Sequence, residues 1–152
     1  MILLLFLFSP AMTDTCIYEP PLIKGVYLSP GVIYSEYMID KFFNLVDIGL
    51  LNTAVLDIKD VKGRVMFSMY EDFIEKARER GVYLIGRQCV FKDRAYAFKD
   101  SGKYALKDSM GNIWYQEKSG YWADPSLEEV RRYNINITKK AYESGFNEVQ
   151  YD

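Results

Sequence analysis

Four ionisable side chains, Asp57, Lys59, Arg87 and Asp152, fall near the ends of three short, mainly apolar runs in a chain of 152 residues. Each run has the length of a strand: "TAVLDIK" (53–59), "VYLIGRQ" (82–88) and "NEVQYD" (147–152). Alternate residues of a strand face opposite sides. Asp57 with Lys59, Arg87 with Tyr83, and Asp152 with Gln150 therefore share one side of a sheet, joined by Tyr27 and Ser29 of "IKGVYLS" (23–29). Two acids and two bases in one cavity balance one another, which matters because isolated buried charges are heavily penalised and paired ones are tolerated. The arrangement admits two readings: a salt-bridge network that closes the interior, or a carboxylate and fixed cations assembled to act on a polar ligand. Asp60, one residue past the inward pair, faces away or lies in a loop and is a weaker candidate. Histidine is absent, which removes imidazole-based triads and His-containing metal sites. No metal or cofactor is expected.

A second group of candidates lies in the connection between Val90 and Pro125, which is too long to be idle in a compact domain. It contains a turn signal, "DSMGN", and the aromatics Trp114, Tyr115, Tyr121 and Trp122, with Asp124 close behind. Flat aromatic faces beside hydrogen-bonding side chains suit a sugar, which has an apolar ring face and a polar rim. Trp114, Trp122 and Asp124 are thus candidate substrate contacts, together with Tyr27, Asp57, Lys59 and Arg87. The competing reading is a small hairpin packed by its own aromatics.

These side chains need a scaffold, and the chain repeats one unit to build it. After "IKGVYLS" comes a helical pattern from about Glu36, with Tyr37, Ile39, Phe42, Phe43 and Val46 at helical spacing, closed by Gly49. "TAVLDIK" is followed by "SMYEDFIEKARERG", which opens on a capping box, Ser68 and Glu71, and stops at Gly81. "VYLIGRQ" and the long connection lead to "SLEEVRRYNINITKKAYESG", with a second capping box at Ser126 and Glu129, and then to the last strand. Such β/α alternation implies parallel strands with helices outside. An open doubly wound sheet should be apolar on both faces. Here one side is polar toward the strand ends, while the other carries Val26, Leu28, Leu56, Ile58, Leu84, Val149 and Tyr151. A barrel tolerates polar inward residues at its C-terminal face, so the fold expected is a (β/α)₈ barrel of the TIM type, represented by its first four strands. No Gly-rich phosphate loop follows any strand, which weakens a nucleotide-binding alternative.

Composition sets the remaining bounds. The chain is 49% hydrophobic and 26% charged, enough for one core, and 16% aromatic with 13 Tyr. A net charge of −2 with no basic run gives a nucleic-acid partner no electrostatic support. Residues 1–21 begin "MILLLFLFSPAMTDTC", an apolar run followed by small residues that reads as a leader or signal peptide, and too short to span a membrane. It points to secretion or the cell envelope, with a cytoplasmic protein as the alternative. The two cysteines, Cys16 and Cys89, make no disulfide framework.

The segments "IKGVYLS", "NTAVLDIKDVKGRV", "ARERGVYLIGRQCVFKD", "YALKDSMGNIW" and "GYWADPSLEEVRRYNINITKKAYESGFNEVQYD" resemble, in this order, the N-terminal half of a family of glycoside-hydrolase-type domains with an α-amylase-like (β/α)₈ barrel. The likeness runs from Ile23 to Asp152. Its most specific parts are "LDIKD", the Arg-containing third strand, "W-x-D-P" and the closing "E-V-Q-Y-D". The resemblance implies that residues 22–152 are the N-terminal half of the barrel, with the long loop at 90–125, and that four further β/α units belong to the complete domain. It implies a polysaccharide or oligosaccharide substrate. By position at the end of the fourth strand it also implies that Asp152 is the nucleophile, with a second carboxyl from a later strand as the acid. Arg87 is suited to hold such an Asp as the carboxylate, and Asp57 and Lys59 to hold substrate hydroxyls or complete the charge network. A half-barrel is expected to be inactive alone and to self-associate through its open edges. The alternative to an enzyme is a catalytically silent barrel that binds a glycan or wall polymer through the same aromatics.

Overall fold

A computed structural model describes residues 22–117 and 120–152. Residues 1–21, expected to be a leader and containing Cys16, lie outside the described residues. Strand β1 (Gly25–Tyr27) leads through helices α1 (Pro30–Ile33) and α2 (Glu36–Asp47) to β2 (Thr53–Lys59), and a 3₁₀ turn (Phe67–Met69) precedes α3 (Glu71–Glu79). Strand β3 (Tyr83–Gln88) opens the long connection, which holds α4 (Arg94–Ala97), α5 (Lys99–Gly102) and the hairpin β4 (Tyr115–Gln116) and β5 (Gly120–Tyr121). Helix α6 (Glu128–Glu143) then delivers β6 (Glu148–Tyr151). Strands β1, β2, β3 and β6 form one parallel sheet in that order, the arc of a (β/α)-barrel that the alternation of elements predicts.

The returns from helix to strand are made at glycine. Gly81 (φ +65°) and Gly145 (φ +101°) take up left-handed backbone, which costs glycine little, and so the chain turns from α3 into β3 and from α6 into β6. The core lies between the outer face of the sheet and the helices. Leu56, Ile58 and Leu84 of the strands meet Phe42 and Phe43 of α2, Phe73 and Ile74 of α3, and Ile137 and Ala141 of α6. Phe42, Phe43 and Phe73 form a ring cluster with centroids 5.3 to 5.8 Å apart. A second, smaller core of Tyr104, Ala123 and Val130, packed by Phe91, Tyr96 and Leu127, supports the long connection.

Two local expectations are corrected. Neither capping box forms: Ser68 lies in the 3₁₀ turn and α3 starts at Glu71 behind Tyr70, while α6 starts at Glu128 behind Leu127, and neither cap position makes a side-chain hydrogen bond. The turn before α6 is instead held by Asp124, whose Oδ1 accepts from the Ser126 amide at 2.8 Å, and Glu129 reaches Lys103 at 3.4 Å. The parity of β2 also breaks near its end. The register with β3 shifts between Asp57 and Lys59, an irregularity that places one extra residue in the strand and sends Lys59 to the helix side of the sheet.

Candidate functional site

Four strands build one polar wall on the inner face of the arc. Asp57 pairs in register with Arg87, and Arg87 with Gln150, so their side chains rise at one level from adjacent strands. Asp57 is buried and accepts two short hydrogen bonds, from Tyr27 Oη to Oδ2 and from Arg87 Nε to Oδ1, each at 2.6 Å. The Arg87 guanidinium lies 4.7 Å over the Tyr27 ring, and its Nη1 stands 3.8 Å from Asp152 Oδ2. That last separation is an ion pair without a hydrogen bond. Arg87 is thus pinned on one side by a carboxylate and an aromatic face, and presents charge on the other side to Asp152.

The wall is open. Tyr27 is 46% exposed, and the side chains of Arg87 and Asp152 are 37% and 56% exposed. The electrostatics follow from the contacts. Desolvation and the hydrogen bond to Asp57 push the Tyr27 phenol above its ordinary pKa, and the Asp57 hydrogen bond pushes the guanidinium of Arg87 higher still. Burial drives Tyr70 up to about 12, with the charge of Asp57 adding to the effect. Asp60 is a turn residue: desolvation would raise its carboxyl, but donors from Arg64 and Lys62 outweigh it and hold it below the ordinary range.

Of the residues expected in this cavity, the structure brings together Tyr27, Asp57, Arg87 and Asp152, and it removes Lys59. The Lys59 ammonium is fully buried on the helix side, 2.8 Å from Asp93 Oδ2, 2.9 Å from Asn134 Oδ1 and 3.1 Å from the carbonyl of Val90. Gln88 joins the same cluster, donating to both oxygens of Asn134 at 3.0 Å. Sequence parity missed this group. Its one legible signal is Asn134 itself, an amide on the stripe of α6 that buries Val130, Ile137 and Ala141.

The aromatics of the long connection divide between the two faces of the hairpin. Tyr115 and Tyr121 pair across it, and Tyr121 packs edge-on against Phe98 at 4.7 Å beneath the guanidinium of Arg94; this face packs toward α4 while leaving Tyr115 and Phe98 exposed. Trp114 and Trp122 alternate to the other face, with ring centroids 6.5 Å apart. Trp114 is 37% exposed and Trp122 partly buried, its indole N–H enclosed without a hydrogen-bond partner among the described residues. Asp124 is engaged in its turn. The predicted "DSMGN" turn is present, with Asp108 Oδ1 accepting from the amides of Met110 and Asn112 at 2.9 Å. Among the described residues no group of His, Cys, Asp and Glu is placed to hold a metal ion.

A family model described as "Putative glycosyl hydrolase domain" matches residues 68–152, which include β3, the long connection, α6 and Asp152. No curated protein sequence matches the chain significantly. Among solved structures, that of a hypothetical protein from Ruminiclostridium thermocellum has a TM-score of 0.74 at 26% identity, over 84% of this chain and 75% of that one. A cyclic α-maltosyl-(1→6)-maltose hydrolase from Arthrobacter globiformis has a TM-score of 0.52 at 15% identity, over 76% of this chain and 34% of the enzyme. An isomaltulose synthase from Protaminobacter rubrum gives 0.51 at 14% identity, over 76% and 30%. The chain spans about a third of the length of each of these two enzymes. At such identities the likeness establishes the fold alone: the four-stranded parallel sheet and its helices match part of a TIM barrel.

Proposed function

The chain belongs to the glycosyl hydrolase domain family whose model covers residues 68–152, and from that membership we propose that the intact protein hydrolyses glycosidic bonds, with the inner wall of β1, β2, β3 and β6 as part of its active site. The observation that carries the reading is the Asp57–Arg87–Asp152 series, a carboxylate at the end of the fourth parallel strand facing a cation already fixed by another carboxylate. Asp152 attacks the anomeric carbon, forming a carboxylate–carbon bond as the glycosidic C–O bond breaks, and water later displaces it. The leaving oxygen needs a proton from a second carboxyl. Asp57 is committed to Tyr27 and Arg87, so this role goes to a strand beyond the four described, and the 152-residue chain by itself is inactive. Residues 22–152 then act as one half of a barrel, with the outer edges of β1 and β6 paired by further strands or, in the isolated chain, by a second copy. Residues 1–21 serve as an export leader.

A second reading, a barrel that binds glycans without cleaving them, draws support from the Trp114 and Trp122 pair. One experiment separates the two. The intact protein is incubated with a panel of α- and β-linked oligosaccharides while reducing ends and binding heats are followed. New reducing ends from at least one member are expected; binding without any cleavage across the panel decides for the second reading.

A further inference from the structure

The buried cluster on the helix side reaches the backbone of Asp152 from behind. An ammonium has three N–H donors, and Lys59 spends all of them, on Val90 O, Asp93 Oδ2 and Asn134 Oδ1. Val90, whose carbonyl takes one of these bonds, gives its own amide to the main-chain oxygen of Asp152 at 2.9 Å. The Asp152 amide in turn donates to the carbonyl of Gln88 at 2.9 Å, and the Gln88 side chain is tied to Asn134. Asp152 lies just past the end of β6. Its main chain is therefore held by two rungs, and each rung is braced on its far side by the buried cluster.

The cluster joins segments far apart in the sequence. Lys59 comes from β2, Val90 and Asp93 from the start of the long connection, and Asn134 from α6. Asp93 also accepts from the Tyr96 amide at 2.8 Å, which fixes the first turn of α4, and Gly63 passes so close that a Cβ there would lie 2.1 Å from Asp93 Oδ1. We infer that Lys59 is a positioning residue for Asp152, acting through the main chain of Val90, and that the bulge in β2 is what carries it there. The backbone irregularity splits two residues of one strand between two tasks. Asp57 orients the cation in front of Asp152, and Lys59 fixes the backbone behind it.

This inference rests on Asp152 being the nucleophile, and its deciding readout, backbone hydrogen exchange, does not depend on turnover. Amide hydrogen exchange is measured on the intact protein, on Lys59→Met, and on Lys59→Met with Asp93→Asn, a pair that leaves no buried carboxylate alone and keeps an acceptor for the Tyr96 amide. In both variants the amides of Val90 and Asp152 should exchange at least about tenfold faster than in the parent, while those of Ile74 and Val82, which are bonded elsewhere in the core, change far less; local opening of this kind is separable from global unfolding. On an oligosaccharide that the parent cleaves, kcat should fall with KM held. Acceleration equal at all four amides, or none at Val90 and Asp152, overturns the positioning role. Wild-type turnover in Asp152→Asn, by contrast, removes the nucleophile reading and leaves the exchange result to stand or fall by itself.

Discussion

Two charged groups lie back to back across the end of β2. On the helix side, Lys59 and Asp93 are 0% and 1% exposed, and the ammonium's three bonds all go to the protein. On the inner side, Arg87 is 37% exposed and meets Asp152 only at 3.8 Å. The first group is closed and complete, while the second keeps cationic and carboxylate capacity facing solvent. The difference lies in what each leaves unused. A buried network that saturates itself fixes backbone, and a partly exposed wall with an unspent ion pair is where a polar ligand can compete for contacts.

The comparison breaks most easily at the closed side. Lys59→Met should lower unfolding free energy by about 3–5 kcal/mol, because it strands the Asp93 carboxylate in the core; denaturant titration measures it, and a loss below that of Arg87→Met would invert the contrast. Gly86→Ala should cost about 1–3 kcal/mol, since a Cβ there would lie 2.9 Å from Ile58 Cγ2 and 3.3 Å from Phe146; melting temperature reads it.

High pH supplies a third probe. Burial pushes Tyr70 and Tyr133 up to about 12, so the folded chain keeps protons that the unfolded chain gives up near pH 10. The stability this represents is intact below about pH 10 and is lost as pH rises through 12. Tyr70→Phe and Tyr133→Phe should flatten that alkaline loss, and an unchanged curve in both would count against their burial. A smaller loss than that of Lys59→Met is expected at the open side. Arg87→Met removes a cation from Asp57, but that carboxylate keeps the Tyr27 hydrogen bond and the pair is partly exposed, which weakens its contribution; the variant should also lower turnover, and a stability loss matching that of Lys59→Met would make the wall structural.

Much of this was legible in the sequence because parallel β/α units announce themselves. The four strands, the glycine stops after α3 and α6 and the inward set of Tyr27, Asp57, Arg87 and Asp152 follow from alternation and spacing. Lys59 did not, because a one-residue irregularity inverts parity and "LDIKD" gives no turn residue to mark it. The capping boxes failed for another reason. Tyr70 is fully buried and Leu127 packs on the second core, and placing these two side chains set the helix starts more strongly than an exposed serine could. The tryptophan face of the hairpin was legible as a set, but which aromatics pack on α4 depends on a strand pairing only three dimensions reveal.

The most direct test of the account is the turnover of Asp152→Asn in the intact protein, measured on an oligosaccharide the parent cleaves and set beside its melting temperature. Turnover should be abolished while binding and melting temperature stay close to those of the parent, because the carboxylate is exposed and, among the described residues, makes one ion pair, with Arg87, at 3.8 Å. Turnover near the parent level would take Asp152 out of the mechanism and return Asp57, Arg87 and Asp152 to a salt-bridge network that only closes the barrel.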